Sequence, residues 1–265
     1  MAIIALHSAA TGLKALSQQL DVISNNIANS NNDGFKSSRA NFEDLMYQYS
    51  SPVGGRNALG DTIPTGVATG YGTRISSTAL DMTKGSAIIT GGKLDLFIDG
   101  DGFFQVKTPA SQGDLAYTRT GKFFMNNNGE LVLSGPGYKL EPPIVIPPNA
   151  TGITIGLDGR VQAQVGSTTQ DVGQIQIARF PNAQGVEQLG SNLYRRTDAS
   201  GAPVLTNPGN DGVGQVIQGS VESSNVDPVK ELVDLIKTQR TFELNSQSIQ
   251  AADQMLQQIS NLRRG

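Results

Sequence analysis

Few side chains in this sequence are candidates for catalysis or ligand binding, and their spacing does not predict a reactive site. The chain has a single histidine, His7. A Ser-His-Asp triad could use it as a general base, but the Gly-x-Ser-x-Gly sequence that presents a nucleophilic serine on a sharp turn is missing. We therefore interpret His7 as a packing or surface residue.

Two glycine-containing segments, Gly91-Gly92-Lys93-Leu94 and Asp99-Gly100-Asp101-Gly102, match ligand loops only in part. A phosphate loop has a glycine five positions before its final glycine and Ser or Thr after its lysine, where this chain has Ala87 and a leucine. A calcium loop needs a glutamate at its twelfth position, which here is Ala110. No two acids can be paired from sequence as glycosidase carboxylates. The sequence predicts no catalytic residue, no cofactor, no metal site and no small-molecule substrate.

Composition narrows the possible functions further. The 265 residues include 20 basic and 23 acidic side chains, and a net charge of −3 argues against nucleic-acid binding. The absence of cysteine excludes disulfides, thiolate zinc sites and iron–sulfur clusters. Residues 1–10 lack the basic start of a cleaved signal peptide, and no apolar run approaches the roughly 18 residues of a membrane span. We therefore expect neither a cleaved signal peptide nor a membrane-spanning helix.

The two ends of the chain carry apolar residues at heptad spacing. The N-terminal set is Leu6, Leu13, Leu20 and Ile27, with Leu16 and Ile23 between them. The C-terminal set is Leu235, Phe242, Ile249 and Leu256, with Leu232 and Ile259 beside them. A period of 3.5 residues is typical of a helix–helix seam. We predict that the terminal helices pair as a coiled coil and that these seam residues carry self-assembly. The alternative is that both helices pack on the rest of the chain as ordinary core elements.

Local signals place the helix ends and describe the outer surface of the second helix. The run from Asn29 to Gly34 ends the first helix, and Asp227-Pro228 begins the second, with Glu231 in its first turn and Arg263 and Arg264 at its end. Its remaining surface carries neutral side chains that form hydrogen bonds, mostly amides, which could satisfy each other between packed copies: Gln239, Asn245, Ser246, Gln247, Ser248, Gln250, Gln254, Gln257 and Gln258.

Between the terminal helices the periodicity changes. Phe42, Leu45, Met46 and Tyr49 have helical spacing and predict a short second helix. Residues 51–72 are rich in Gly, Pro and Thr and predict an extended arm. Residues 73–222 alternate apolar and polar, with hairpin turns at Asn128-Gly129 and Asp158-Gly159, which favours a sandwich or barrel.

Together these patterns predict an α+β fold. Residues 1–30 and 226–265 form a terminal helical assembly core, residues 31–72 form a connecting segment with the extended arm, and residues 73–225 form an outer all-β domain.

One distinctive group of strings begins with residues 8–13 and continues through Asp21-Val22-Ile23-Ser24-Asn25-Asn26-Ile27-Ala28-Asn29 to Gly34-Phe35-Lys36. It resembles the N-terminal signature of bacterial flagellar rod and hook axial proteins. Its asparagines would cap the helix end, Gly34 would permit a reversal and Phe35 would anchor it. Residues 42–48, 96–104 and 117–121 look like the distal-rod members of this family. Residues 218–227 and 239–246 are similar to the family, and the resemblance covers nearly the whole chain. Residues 30–33 depart from the usual turn, and residues 160–215 are the least diagnostic.

The resemblance implies a structural subunit of a hollow, rigid shaft that transmits torque from the flagellar motor to the hook. It implies a helical homo-oligomer whose neighbours are the proximal rod protein, the hook protein, the P-ring and L-ring proteins, a rod cap and the type III export apparatus. It also implies a place in the basal body, spanning the periplasm towards the outer membrane, and export without signal cleavage. The alternatives are a proximal-rod or hook paralogue and, from another class, an enzyme or carbohydrate-binding β protein with helical ends.

Overall fold

A computed structural model describes residues 2–56, 61–62, 64–109, 114–210 and 212–262. In these residues, one long helix comes before and one after a run of twenty strands along the chain. The elements are α1 (Ala2–Ala28), β1 (Ser38–Asp44), β2 (Tyr47–Ser51), β3 (Val67–Gly70), β4 (Thr73–Leu80), β5 (Ala87–Ile89), β6 (Leu96–Asp99), β7 (Phe103–Lys107), β8 (Leu115–Thr118), β9 (Phe123–Met125), β10 (Leu131–Leu133), β11 (Lys139–Glu141), β12 (Gly152–Ile155), β13 (Arg160–Val165), β14 (Thr168–Gln174), β15 (Ile177–Arg179), β16 (Glu187–Gly190), β17 (Leu193–Arg195), β18 (Val204–Thr206), β19 (Gln215–Gln218), β20 (Ser220–Glu222) and α2 (Pro228–Leu262).

The chain divides into two compact units. The helical unit comprises residues 1–27, 38–79 and 228–265, and the strand unit comprises residues 28–37 and 80–227. The α+β prediction is confirmed, because α1 and α2 pack together and the central region is mostly strand. Residues 38–79 belong with the helices, whereas the sequence placed residues 31–72 in a separate connecting segment. The assignment of the parts to an inner core and an outer domain stays a prediction.

The local signals mark the end of α1 and the start of α2 as expected. A run of turns that starts at Asn29 follows α1, and α2 starts at Pro228, directly after Asp227. Proline at the first helical position has no amide hydrogen to leave unpaired and is preset to the helical φ angle. The residues after Leu262, including Arg263 and Arg264, lie outside the described part of the chain.

The predicted short helix around residues 42–49 is wrong. Residues 38–44 form β1, which pairs with β4, and Tyr47–Ser51 forms β2, which pairs with β3. Phe42, Met46 and Tyr49 are all exposed, so their helical spacing does not mark a buried face. The predicted arm is a long hairpin of β2 and β3, extended by an isolated bridge between Arg56 and Thr62.

The strand unit contains a nine-stranded sheet, a three-stranded sheet and two strand pairs, β19 with β6 and β20 with β5. Both predicted hairpins are confirmed. Strand β9 pairs with β10 with Leu131 opposite Met125, and β12 pairs with β13 with Ile155 opposite Val161. The main apolar cluster includes Leu96, Phe104, Phe123, Leu140 and Val216, which are almost fully buried. Among the described residues, no helix is long and apolar enough to cross a membrane.

Candidate assembly site

The α1–α2 pair has a heptad seam, but its membership on α2 differs from a simple count of apolar residues. Half-buried or buried positions recur at spacings of three and four: Leu235, Thr238, Phe242, Asn245, Ile249, Ala252 and Leu256. This alternation is the a/d pattern of a coiled coil. Leu232 is exposed and lies outside this set, and the Ile259 side chain lies outside the described part of the chain.

On α1, every predicted seam residue is shielded from solvent to some degree. Ile23 is buried, and the others are half-buried: Leu6, Leu13, Leu16, Leu20 and Ile27. Ala15 is also buried and adds a small side chain to the same helix. Full burial of a large apolar side chain contributes about 1.5–3 kcal/mol, and a half-buried one contributes about half as much. The seam therefore stabilises the pairing of the two ends of the chain.

A polar side chain interrupts this seam. Asn245 donates a hydrogen bond from Nδ2 to the Ala9 carbonyl at 3.0 Å. A Cβ on Gly12 would lie 2.6 Å from the same Nδ2, so the missing side chain at Gly12 makes room for Asn245. Polar a or d residues fix the register of coiled coils. The prediction that Asn245 lies on the amide-rich surface of the second helix is therefore wrong.

Asn26, one of the signature asparagines, ties three elements of the helical unit together. Its Oδ1 accepts a hydrogen bond from the Ser38 amide at 3.0 Å, and its Nδ2 donates to the Ser38 carbonyl at 2.9 Å and to Glu231 Oε1 at 3.3 Å. Its side chain is buried. The amide thus pairs with the start of β1 as a neighbouring strand would, and it also contacts the first turn of α2.

We predict that Asn26→Ala lowers the free energy of unfolding of the helical unit by about 2–3 kcal/mol, because the partly buried Ser38 amide and carbonyl lose their partner. Urea unfolding followed by circular dichroism at a helix wavelength measures this change. Ser24→Ala is the control, since Ser24 is exposed and lies two residues earlier in the same motif. Equal losses for the two variants would contradict this role of Asn26.

The signature continues into a reversal within the strand unit. Asn29 accepts hydrogen bonds from the Asn32 amide at 3.1 Å and from Asn32 Nδ2 at 3.4 Å. Gly34 has φ +72° and donates to the Glu222 carbonyl at 2.7 Å. A Cβ at Gly34 would lie 2.7 Å from the Thr120 amide nitrogen, and Phe35 is buried after it. The reversal therefore requires glycine both for its conformation and for its space.

Gly34→Ala should lower the free energy of unfolding by about 2–4 kcal/mol, since left-handed strain costs about 1–2 kcal/mol and the clash adds to it. Gly91→Ala isolates the strain, because Gly91 has φ +71° and open space where a Cβ would stand. Chemical denaturation of both variants gives the difference. If Gly91→Ala costs as much as Gly34→Ala, close packing against Thr120 is not the reason for glycine here.

Lys36, the last signature residue, enters a buried ion cluster in the strand unit. Its Nζ donates to Glu222 Oε1 and to the Thr83 carbonyl, each at 2.6 Å. The Gly85 amide donates to the same Oε1 at 2.9 Å. Arg119 Nε lies 3.1 Å from Glu222 Oε2. All three charged side chains are almost fully buried, so one carboxylate contacts two cations away from water.

Arg119 is held by backbone oxygens as well as by charge. It donates to the Gly102 carbonyl at 2.6 Å and to the Gly100 carbonyl at 2.9 Å, and its guanidinium lies 5.8 Å from the Phe103 ring centroid. Burial lowers the pKa of Lys36 below its ordinary value, opposed by the Glu222 carboxylate and reinforced by Arg119. Burial likewise lowers the pKa of Arg119.

Hydrogen bonds beside the ion cluster join the segments at which the chain enters and leaves the strand unit. Asn225 Oδ1 accepts from the Ser37 amide at 2.8 Å, and its Nδ2 donates to the Asp81 carbonyl at 2.8 Å. The Asp81 amide donates to the Ser37 carbonyl at 2.8 Å. Residues 34–37, 81–85 and 222–225 are thereby fixed side by side. These pairs leave no local signal in the sequence, because they join residues up to 188 positions apart.

The residues considered as candidates for catalysis or ligand binding make contacts within the fold. His7 is exposed, and its Nδ1 lies 3.2 Å from the Tyr71 carbonyl. Asp99 ends β6 and pairs with Lys84 at 2.6 Å in an exposed salt bridge. The Gly91 amide donates to the Gly219 carbonyl in the turn after β5. Each of these contacts has a structural explanation.

Comparisons with known proteins match three separate parts of the chain. The family described as "Flagella basal body rod protein" matches residues 6–36. "Flagellar hook protein FlgE/F/G D1 domain" matches residues 97–163, and "Flagellar basal body rod FlgEFG protein C-terminal" matches residues 217–262. Lys36, Arg119 and Glu222 fall one in each match, so the ion cluster joins all three parts. The matches define a flagellar rod or hook protein.

Proteins that match over nearly their full length identify the family within this class. The "Flagellar basal-body rod protein FlgG" of Buchnera aphidicola subsp. Schizaphis graminum is 46% identical over 95% of this chain and 96% of its own length. The protein of the same name from Caulobacter vibrioides is 45% identical over 98% and 99%, and that from Bacillus subtilis is 41% identical over 98% of both. This chain belongs to the FlgG family of flagellar basal-body rod proteins.

Proposed function

We propose that this chain is a structural subunit of the flagellar distal rod, where copies polymerise into a hollow, rigid shaft that transmits torque from motor to hook. The observation that carries the proposal is similarity to FlgG proteins over nearly the whole length of this chain and of those proteins. The alternative of a proximal-rod or hook paralogue is not favoured, because FlgG proteins match this chain at 41–46% identity over nearly their whole length. The proposed role is architectural, with no catalytic step.

In the proposed polymer, α1 and α2 form the assembly core and the strand unit forms the outer domain. The heptad seam supports this arrangement, since it pairs the two ends of each chain and prepares a rod-shaped element for packing. The hairpin of β2 and β3 is proposed to contact neighbouring copies and to stiffen the shaft.

The proposed neighbours follow from the family. They are further copies of this chain, the proximal rod protein, the hook protein, the P-ring and L-ring proteins, the rod cap and the type III export apparatus. The proposed location is the basal body, from the periplasm towards the outer membrane, after export without signal cleavage. The lack of cysteine suits a chain that crosses unfolded into an oxidising compartment.

Negative-stain electron microscopy tests the proposal directly. Purified full-length chain should form tubes with a central channel as its concentration rises. A chain without residues 1–30 and 228–265 should stay dispersed under the same conditions. Tubes from the shortened chain would overturn the assembly role of the helices, and a full-length chain that stays monomeric at every concentration would overturn polymerisation.

A further inference from the structure

The hairpin turn between β9 and β10 contains the one Asn-Gly pair of the sequence, Asn128-Gly129. An asparagine followed by glycine is chemically labile, because glycine has no Cβ to keep its backbone nitrogen away from the asparagine side chain. Asn128 is exposed, so water and base reach its amide. The pair is therefore a candidate modification site, and its reactivity depends on how the turn holds the two residues.

The backbone of this turn occupies the nitrogen that would react. The Gly129 amide donates to the Asn126 carbonyl at 3.0 Å, and the Asn126 amide donates to the Glu130 carbonyl at 3.0 Å. Gly129 has φ +79°. These are the features of a three-residue hairpin loop that ends in a left-handed glycine. The Gly129 nitrogen must give up this hydrogen bond before it can attack the Asn128 side chain, so the closed turn opposes the reaction.

The Asn126 side chain closes the turn a second time. Its Oδ1 accepts hydrogen bonds from the Asn128 amide and the Glu130 amide, each at 2.9 Å, and its Nδ2 donates to Glu130 Oε2 at 2.8 Å. Lys139 on β11 donates to Glu130 Oε1 at 2.8 Å. The pKa of Glu130 is lowered, first by the hydrogen bond from Lys139 and then by the one from Asn126. The ionised carboxylate therefore keeps the Asn126 side chain in place.

The hairpin between β12 and β13 has a similar backbone turn without this side chain. The Gly159 amide donates to the Gly156 carbonyl at 2.9 Å, and Gly159 has φ +78°. Gly156 stands where the first hairpin has Asn126. Asp158 stands where the first hairpin has Asn128. An aspartate thus fits this kind of turn, and the closing asparagine belongs to the hairpin that contains the Asn-Gly pair.

We propose that Asn128 is a slow deamidation site and that the Asn126 side chain keeps its rate low in the folded chain. In this reaction the Gly129 nitrogen loses its proton to solvent base and bonds to Cγ of Asn128. The Cγ–Nδ2 bond then breaks, and ammonia leaves with a proton from solvent. Water opens the resulting succinimide ring at either carbonyl, which gives aspartate or isoaspartate. The proposal concerns the folded chain and does not depend on polymerisation.

The two products have different consequences for the hairpin. Aspartate leaves the main chain unchanged, as in the turn that contains Asp158. Isoaspartate adds a carbon to the main chain beside Gly129, whose carbonyl accepts from the Ile146 amide at 2.8 Å. A Cβ at Gly129 would overlap the Ile146 carbonyl oxygen, so the main chain has no room to shift there. Isoaspartate should weaken the pairing of β9 with β10, whereas Asn128→Asp should unfold at the same urea concentration as the unsubstituted chain.

Ageing of the full-length chain in mildly alkaline buffer tests the proposal. Trypsin releases residues 123–139 as one peptide, and mass spectrometry of its fragments locates deamidation at Asn128. The reaction should be slower in the folded chain than in urea. Asn126→Ala should make it about tenfold faster in the folded chain, because the turn loses two hydrogen bonds. The matched control is Asn127→Ala, at an exposed position of the same turn, which should change the rate by less than about twofold.

An internal reference separates a local effect from general unfolding. Asp158-Gly159 isomerises through the same succinimide ring and lies in the tryptic peptide of residues 140–160. Asn126→Ala should leave the rate at Asp158 unchanged. Faster reaction at both sites would show general unfolding and would overturn the protective role of Asn126, as would equal rates at Asn128 with and without the substitution. The absence of deamidation at Asn128 in urea would overturn the site itself.

Discussion

Glu222→Gln should lower the free energy of unfolding of the strand unit by about 3–5 kcal/mol, the usual cost of removing one partner from a buried ion pair. The glutamine side chain has nearly the same shape and can still accept hydrogen bonds from Lys36 and Gly85. What it lacks is the negative charge that faces two buried cations. Lys36 and Arg119 would then stand together without the carboxylate that contacts both. Urea unfolding of the purified chain measures the loss.

Lys36→Met, compared with Glu222→Gln, tests whether the balance of charges governs the stability of the ion cluster. Removal of one cation leaves Glu222 paired with Arg119, a balanced pair, so the expected loss is only about 1–3 kcal/mol from the lost hydrogen bonds. Asp99→Asn is the control, because it breaks the exposed pair with Lys84 and should cost no more than about 1 kcal/mol. A Lys36→Met loss equal to or larger than that of Glu222→Gln would show that the count of charges does not govern this cluster.

Phe242→Asp should abolish tube formation while leaving the strand unit folded. Phe242 is a half-buried a-position residue in the α1–α2 seam, and its removal from the seam loses about half of the roughly 1.5–3 kcal/mol that full burial contributes. A carboxylate at this place adds a desolvation cost of several kcal/mol, so the helices separate. Light scattering of concentrated samples should show less than a tenth of the assembled fraction. Circular dichroism should show lost helix and retained strand.

Gln250→Asp is the matched control for Phe242→Asp. It introduces the same charge on the same helix, at an exposed position outside the seam. It should assemble to within about twofold of the unsubstituted chain, since an exposed substitution usually changes stability by less than about 0.5 kcal/mol. Leu235→Asp, at the preceding a position, should behave like Phe242→Asp. Tubes of normal appearance from either seam variant would refute the assembly role of the seam.

Local patterns were predictable from the sequence because neighbouring residues carry them. The heptads, the Asp227-Pro228 helix start and the turns at Asn128-Gly129 and Asp158-Gly159 each depend on a few adjacent residues. The seam was only partly predictable. A count of apolar residues selects Leu232 and overlooks Thr238 and Asn245, because a polar side chain that fits a seam has no distinct signature in one sequence.

Two parts of the structure could not have been found in this way. Phe42, Met46 and Tyr49 have helical spacing by coincidence, and the burial that would test it is known only from the fold. The ion cluster joins Lys36 to Glu222 across 186 positions, and nothing local to either residue identifies its partner. The family strings contained both residues, but only the three-dimensional structure shows why a lysine follows Gly34-Phe35.

Hydrogen exchange of the soluble and assembled chain, resolved by mass spectrometry, tests the central claim that the terminal helices carry polymerisation. Amide hydrogens buried in new contacts and rigid helices exchange more slowly. The account predicts that assembly slows exchange most strongly in residues 2–28 and 228–262. Slowing confined to residues 80–227, with the helices unchanged, would contradict it.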